Sequence, residues 1–140
     1  MSPRHPHPDG SAGFTLVECL VVLALVAILA ALAWPTFRGQ DARAGRIDAV
    51  QALTRVQLAQ EQYRSAHGLY AGSLNGLLGT AAISSQGRYA ISLALIGPQA
   101  YLATANALGA QAQDSACATL TLEVRLGFAQ TGPDVGCWLR

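Results

Sequence analysis

Residues 13–37 read GFTLVECLVVLALVAILAALAWPTF. From Phe14 to Phe37 the run is almost wholly apolar. As a helix, at about 1.5 Å per residue, it exceeds the roughly 30 Å hydrocarbon core of a bilayer. One carboxylate, Glu18, stands near its front, and no basic residue lies between Phe14 and Phe37. A charged acid in the middle of such a helix costs about 2.5–3.5 kcal/mol on insertion scales, so Glu18 calls for a partner. A secretory signal has a shorter apolar region with its small-residue cleavage site after it. Here the small residue, Gly13, comes first, so the helix is expected to survive processing. Pro35 removes a backbone hydrogen bond near the far end and predicts a kink or local unwinding. Trp34 beside it suits a membrane interface.

The whole chain has 140 residues, enough for an anchor and one small domain. Residues 1–13, MSPRHPHPDGSAG, are polar and rich in Pro and Gly and read as a short leader. His5 and His7 in such a tail make a poor metal site. Net charge is +1, with no basic block to suggest nucleic acid. All nine positive side chains are Arg, which excludes a P-loop lysine, a Schiff-base lysine and a Ser–Lys dyad. The cysteines are Cys19, Cys117 and Cys137, without CxxC or HExxH spacing, so a zinc site is not expected. Cys117 and Cys137 read as a disulfide if the domain lies outside the cytoplasm, and otherwise as two buried thiols. Cys19 reads as a small buried hydrophobe.

Gly13-Phe14-Thr15-Leu16-Val17-Glu18, followed by about twenty apolar residues, resembles the class III signal of type IV pilins and the related pseudopilins. The resemblance implies cleavage by a prepilin peptidase after Gly13 and N-methylation of Phe14. It implies that Glu18 pairs with the N-terminal amine of a neighbouring subunit during assembly, which supplies the missing partner. Two buried opposite charges cost much less together than apart. Pro35 falls where pilins commonly carry a helix-breaking proline. One count disagrees: Arg4 precedes the helix, whereas Arg38, Arg43 and Arg46 follow it. Positive-inside counting alone would put the C-terminal domain in the cytoplasm. The signal motif implies the reverse, with the domain periplasmic, and the Cys pair agrees.

Residues 38–66 contain no Pro and are rich in Gln, Ala, Arg and Leu, which predicts a helix. Its stripe is Ile47, Val50, Leu53, Val56 and Ala59, with Leu58 and Tyr63 beside it. Gly39 and Gly45 read as weak points, and His67-Gly68 as the stop. Residues 67–87 are a connecting loop, with a short helix near Ser73–Leu78. Strands are expected at 88–96 (Tyr89, Ile91, Leu93 and Leu95 on one face), 100–107 and 118–126 (Leu120, Leu122, Val124 and Leu126 inward). A turn at 96–99 and a polar connection at 109–115 join them, and 127–136 is a loop. The organisation is thus leader 1–13, membrane and assembly helix 14–37, amphipathic helix 38–66, connecting loop 67–87, and sheet with C-terminal loop 88–140. The fold class is α+β: a long N-terminal helix on a small antiparallel sheet of three or four strands.

That layout again resembles pilins. Tyr101, Ala105, Gln111, Asp114, Cys117 and the final Cys137-Trp138 are similar to PilE-type minor pilins of proteobacteria, as are Glu61–Arg64 and Gly68–Tyr70. The resemblance implies a structural subunit of a type IV pilus, a minor one favoured over a major one, serving assembly priming, adhesion, twitching motility or DNA uptake. Its partners would be other pilins, the prepilin peptidase, the inner-membrane assembly platform and the membrane itself. It would reside in the inner membrane before assembly and in an extracellular fibre afterwards. The alternative is a pseudopilin of a type II secretion system. Major pseudopilins usually bind calcium through clustered acids in a C-terminal loop, where this chain has only Asp134. No catalytic constellation, cofactor or metal is expected. His67 lacks a fitting nucleophile and acid. A DNA receptor would draw on Arg88, Arg125 and Arg140, three scattered arginines, and nucleic acid is left out of the expected partners.

Overall fold

A computed structural model describes residues 14–138, including every side chain except those of 34–38. The leader, with Gly13, His5 and His7, and Arg140 lie outside the described residues, as do the side chains of Trp34 and Pro35. The chain falls into two units, 1–37 and 38–140. One helix, α1 (Leu16–His67), contributes to both. It is helical through Pro35, so the expected local unwinding is absent.

In the first unit, Leu16–Ala33 is long and apolar enough to cross a membrane, and none of it is buried. Among the described residues of this unit nothing covers this surface, so its apolar side chains need lipid or other helices around them.

The second unit is α+β. Four strands, β1 (Tyr89–Gly97), β2 (Ala100–Ala107), β3 (Thr119–Arg125) and β4 (Phe128–Gly132), form an antiparallel meander in the order β1-β2-β3-β4. The expected short helix in the connecting loop is a single 3-10 turn at Leu74–Gly76, and further 3-10 turns occupy Gly109–Gln113, Ser115–Cys117 and Val135–Trp138. The 127–136 segment is therefore no loop throughout, since five of its residues pair with β3. Its sequence FAQTG lacks an alternating apolar face because α1 does not cover it, and Phe128 to Thr131 are exposed.

The core lies between α1 and β1–β3. Ala49, Leu53, Val56 and Ala59 meet Tyr89, Ile91, Tyr101, Ala103, Leu120, Leu122 and Val124. Alanines at 49, 52 and 59 let the helix sit close to the sheet, and Tyr70 meets Tyr101 edge to face with centroids 4.8 Å apart. Leu95, expected on the face of Tyr89, Ile91 and Leu93, is half exposed, and Leu126, expected inward, is 73% exposed because it sits in the β3–β4 turn. The helix stripe is also rotated from the expected one. Its buried face adds Gly45, Asp48, Ala52 and Gln60, whereas Ile47 and Leu58 point outward.

The polar members of that face hold the connecting loop. Gln60 pairs with the backbone of Ala71 in both directions, Nε2 donating to the carbonyl (2.9 Å) and Oε1 accepting from the N–H (2.8 Å). Asp48 accepts from Ser84 Oγ (2.5 Å), Ser85 Oγ (3.2 Å) and the N–H groups of Gln86 (3.1 Å) and Arg88 (3.4 Å). Burial alone would push the Asp48 carboxyl up, but these four donors together hold it below its ordinary value.

Candidate functional site

The start of α1 carries the residues that the sequence singles out for processing and assembly. Thr15 caps the helix: its Oγ1 accepts the N–H of Glu18 at 3.3 Å, and its carbonyl accepts that of Cys19 at 3.2 Å. Glu18 occupies the third helical position, so Thr15-x-x-Glu18 has the spacing of a capping box. A carboxylate in the first turn also gains about 0.3–1 kcal/mol from the helix dipole. This local role is readable from the sequence, yet hydropathy conceals it. Phe14 and Glu18 lie one turn apart at the same helix end, both exposed, and Cys19 beside them is a free, exposed thiol. Glu18 makes no ion pair among the described residues.

In the second unit a tie joins α1 to the C-terminal segment. Arg46 grips Asp114 with both prongs, Nε to Oδ2 at 2.6 Å and Nη2 to Oδ1 at 2.8 Å, and its Nη1 reaches the Gly136 carbonyl at 3.4 Å. The side chains are only 15% and 9% exposed. The bond to Asp114 holds the Arg46 guanidinium even more firmly protonated than usual, against the opposing effect of burial. Cys117 and Cys137 are bonded, with Cα atoms 5.5 Å apart. The indole Nε1 of Trp138 donates to the Gly132 carbonyl at 2.8 Å. The final segment is thus pinned by a covalent bond, a charge-assisted fork and an indole.

Gln111 completes the tie. Its Nε2 donates to the Ala42 carbonyl (3.0 Å) and its Oε1 accepts from Arg88 Nη1 (3.4 Å). It lies against α1 where Gly45 leaves room. Gly45 is therefore a notch for a side chain, in place of the weak point expected from the sequence.

The other sequence candidates are not brought together. Arg88 lies before β1 and pairs with Asp41 at 3.4 Å, while Arg125 ends β3 and pairs with Glu123. The strand register puts them at opposite ends of the sheet. His67 stacks on Tyr63, ring centroids 4.1 Å apart, at the end of α1. Among the described residues no three His, Cys, Asp or Glu side chains gather as metal ligands.

Comparison with known proteins gives two matches along the chain. Residues 9–34 match the prokaryotic N-terminal methylation motif, and residues 35–121 match the family described as type IV minor pilin ComP, DNA uptake sequence receptor. The type IV major pilin protein PilE of Neisseria gonorrhoeae is 37% identical over 78 residues, 55% of this chain and 46% of that protein. The fimbrial protein of Neisseria meningitidis serogroup B is 37% identical over 82 residues, 58% and 48% respectively. The type II secretion system core protein G of Pectobacterium carotovorum subsp. carotovorum is 32% identical over 65 residues, 46% and 42%. The chain spans about half the length of the curated relatives it matches. With the methylation motif, the apolar helix, the disulfide-closed α+β unit and a family match across most of that unit, the chain belongs to the type IV pilins, in the minor-pilin family that matches residues 35–121.

Proposed function

We propose that this chain is a minor structural subunit of a type IV pilus and has no catalytic role. A prepilin peptidase cuts after Gly13 and methylates the amine of Phe14. The single observation that carries this reading is the start of α1: a capped helix with Phe14 and Glu18 exposed one turn apart, leading into a bare apolar span. Cleavage creates a positive amine beside Glu18. In the bilayer that amine and the carboxylate of a neighbouring subunit neutralise each other, which favours lateral assembly over free diffusion. The helix anchors the subunit in the inner membrane, with the disulfide-bonded unit in the oxidising periplasm, until the assembly platform moves it into the fibre. The test is mass spectrometry of N-terminal peptides from sheared fibres. A peptide beginning at N-methylated Phe14 is expected, in small amount relative to other subunits. Chains beginning only at Met1, despite an active peptidase, would end the reading. Processed chain confined to membranes would favour the pseudopilin alternative, which the similarity to the secretion core protein supports over a shorter span.

A second reading, reception of DNA at the pilus, is favoured by one observation: the family matching residues 35–121 is described as a DNA uptake sequence receptor. The described arginines give it little support. Arg46, Arg64, Arg88 and Arg125 each pair with an acid, which leaves Arg43 and Arg55 without one among the described residues. Its test is duplex binding by the full chain across salt concentrations. A steep loss of affinity with salt is expected of a receptor that engages phosphates.

A further inference from the structure

The two ends of the second unit carry surfaces that differ and complement each other. At the end holding the β1–β2 and β3–β4 turns, Leu126 and Phe128 project as an apolar knob, 73% and 79% exposed. The turn itself is unusual. Leu126 has φ 51° and Gly127 φ 85°, a two-residue hairpin that normally takes Asn-Gly or Asp-Gly. Leu126 is the only described non-glycine residue with positive φ. A leucine there costs roughly 1–2 kcal/mol of backbone strain. With its side chain mostly in solvent it recovers little by packing. Strain and exposure together point away from folding and towards a contact.

The opposite end holds a shallow cleft between α1 and the C-terminal tie. It is lined by Arg43, Arg46, Ala116, Val135 and the Cys117–Cys137 bridge, with Asp134 on its rim. Val135 is 57% exposed within it. The seven-residue length of β3 sets the two surfaces about 20 Å apart or more, so one chain cannot close them on itself. The charges match as well. On the sheet face that carries Phe128, its cross-strand neighbour Arg125 and then Glu123 follow. Arg43 and Asp134 flank the cleft, and among the described residues the Asp134 carboxylate accepts only the N–H of Gly136.

We propose that the Leu126–Phe128 knob of one copy seats in the cleft of a second copy of this chain. Glu123 then faces Arg43, and Arg125 faces Asp134. A head-to-tail contact between unlike surfaces does not close on itself and propagates along a filament. This inference rests on the fibre-subunit reading. It requires two copies of this minor subunit to stand next to each other in the fibre, and the crosslink below tests that.

The test uses the full chain in cells that assemble the fibre. Leu126→Asn relieves the strained turn, so its unfolding midpoint in detergent is expected to equal or exceed that of the parent chain. Phe128→Asp removes the ring from the knob, neutralises its cross-strand neighbour Arg125 and brings a like charge to Asp134 of the other copy. Both variants should still be processed to N-methylated Phe14, while their amount in sheared fibres falls at least about fivefold. A photo-crosslinking phenylalanine analogue at 128 should give a species of twice the chain's mass, joined to residues 116–117 or 134–137. Unchanged entry of both variants into fibres, or crosslinks only to other pilins, overturns the proposal while the subunit reading stands. Absence of the parent chain from fibres removes the subunit reading and the proposal with it.

Discussion

Gln111 fills the space that a side chain at Gly45 would take: a Cβ there would lie 1.9 Å from Gln111 Oε1 and 2.6 Å from Cδ. Gln111 is buried, and both of its amide atoms are engaged. It cannot retreat without giving up its bonds to Ala42 and Arg88.

Gly45→Ala is therefore expected to destabilise the second unit by about 1–2 kcal/mol. The helix propensity gained is outweighed by displaced hydrogen bonds and overpacking. Gly39 is the control. It is exposed, nothing lies within 4 Å of its would-be Cβ, and Gly39→Ala should stabilise by about 1 kcal/mol. Urea unfolding of the full chain in detergent compares the two. Equal effects would show that Gly45 is merely a weak helix former.

Asp48 makes stability depend on pH. Its carboxyl is held below the unfolded value of about 3.9, so its contribution is fully present above that pH. The contribution is lost as pH falls through the folded value. Asp48→Asn sets an amide donor against four donors and should cost about 2–4 kcal/mol at neutral pH. The gap between parent and variant should begin to narrow below about pH 4, where Asp48 of the unfolded chain takes up a proton while the folded one still holds its charge. Unfolding midpoints at pH 7 and pH 3 check both points.

Arg46→Ala leaves Asp114 partly buried and without its cation, at an expected cost of about 2–3 kcal/mol. Asp114→Leu in the same chain should recover much of that. A coupling energy of at least about 1 kcal/mol in the double-mutant cycle is expected. Additive costs would mean that the pair contributes no more than a surface ion pair.

The Cys117–Cys137 bridge spans 20 positions, and in the chain-entropy model replacing both residues by alanine costs about 3 kcal/mol. For a unit of this size that lowers the melting temperature by roughly 12–24 °C. Thermal unfolding with and without reductant measures it. Reductant should leave the double-alanine variant unmoved.

Glu18→Gln keeps the side chain's size and removes the charge proposed to pair with the Phe14 amine of a neighbouring subunit. Processing at Gly13 is expected to persist, and entry into fibres to fall at least about tenfold. N-terminal peptides from membrane and fibre fractions separate the two steps.

Much of this was legible in the sequence, because apolar periodicity is a strong signal. The bare helix follows from an unbroken apolar run, and the second helix and the strands from periodicity; the Cys pair was read from cysteine usage, with two buried thiols as the alternative, and is bonded. Most of what escaped consists of residues that fold by exception to that pattern. Asp48 and Gln60 lie on the buried helix face although polar, because the loop backbone supplies their partners. Leu126 continues the inward alternation of β3 by one step, but the chain has already turned there. FAQTG lacks a covered face, so β4 is set by its pairing with β3 and carries no alternation of its own. Glu18 stood out in the sequence, but the cap that Thr15 gives its N–H was hidden by hydropathy, since a cap depends on spacing rather than on oiliness. Arg88 and Arg125, read from the sequence as scattered charges, do lie at opposite ends of the sheet.

The bond between Cys117 and Cys137 also closes a covalent ring around β3 and β4. Arg125 and Phe128, the exposed sites in that ring that trypsin-like and chymotrypsin-like proteases would favour, both lie inside it. A single cut at either opens the ring but frees no fragment, because each new end stays attached through the sulfur atoms. The subunit would register on a denaturing gel as two pieces only after reduction, and a nicked copy would remain whole in mass where it stood.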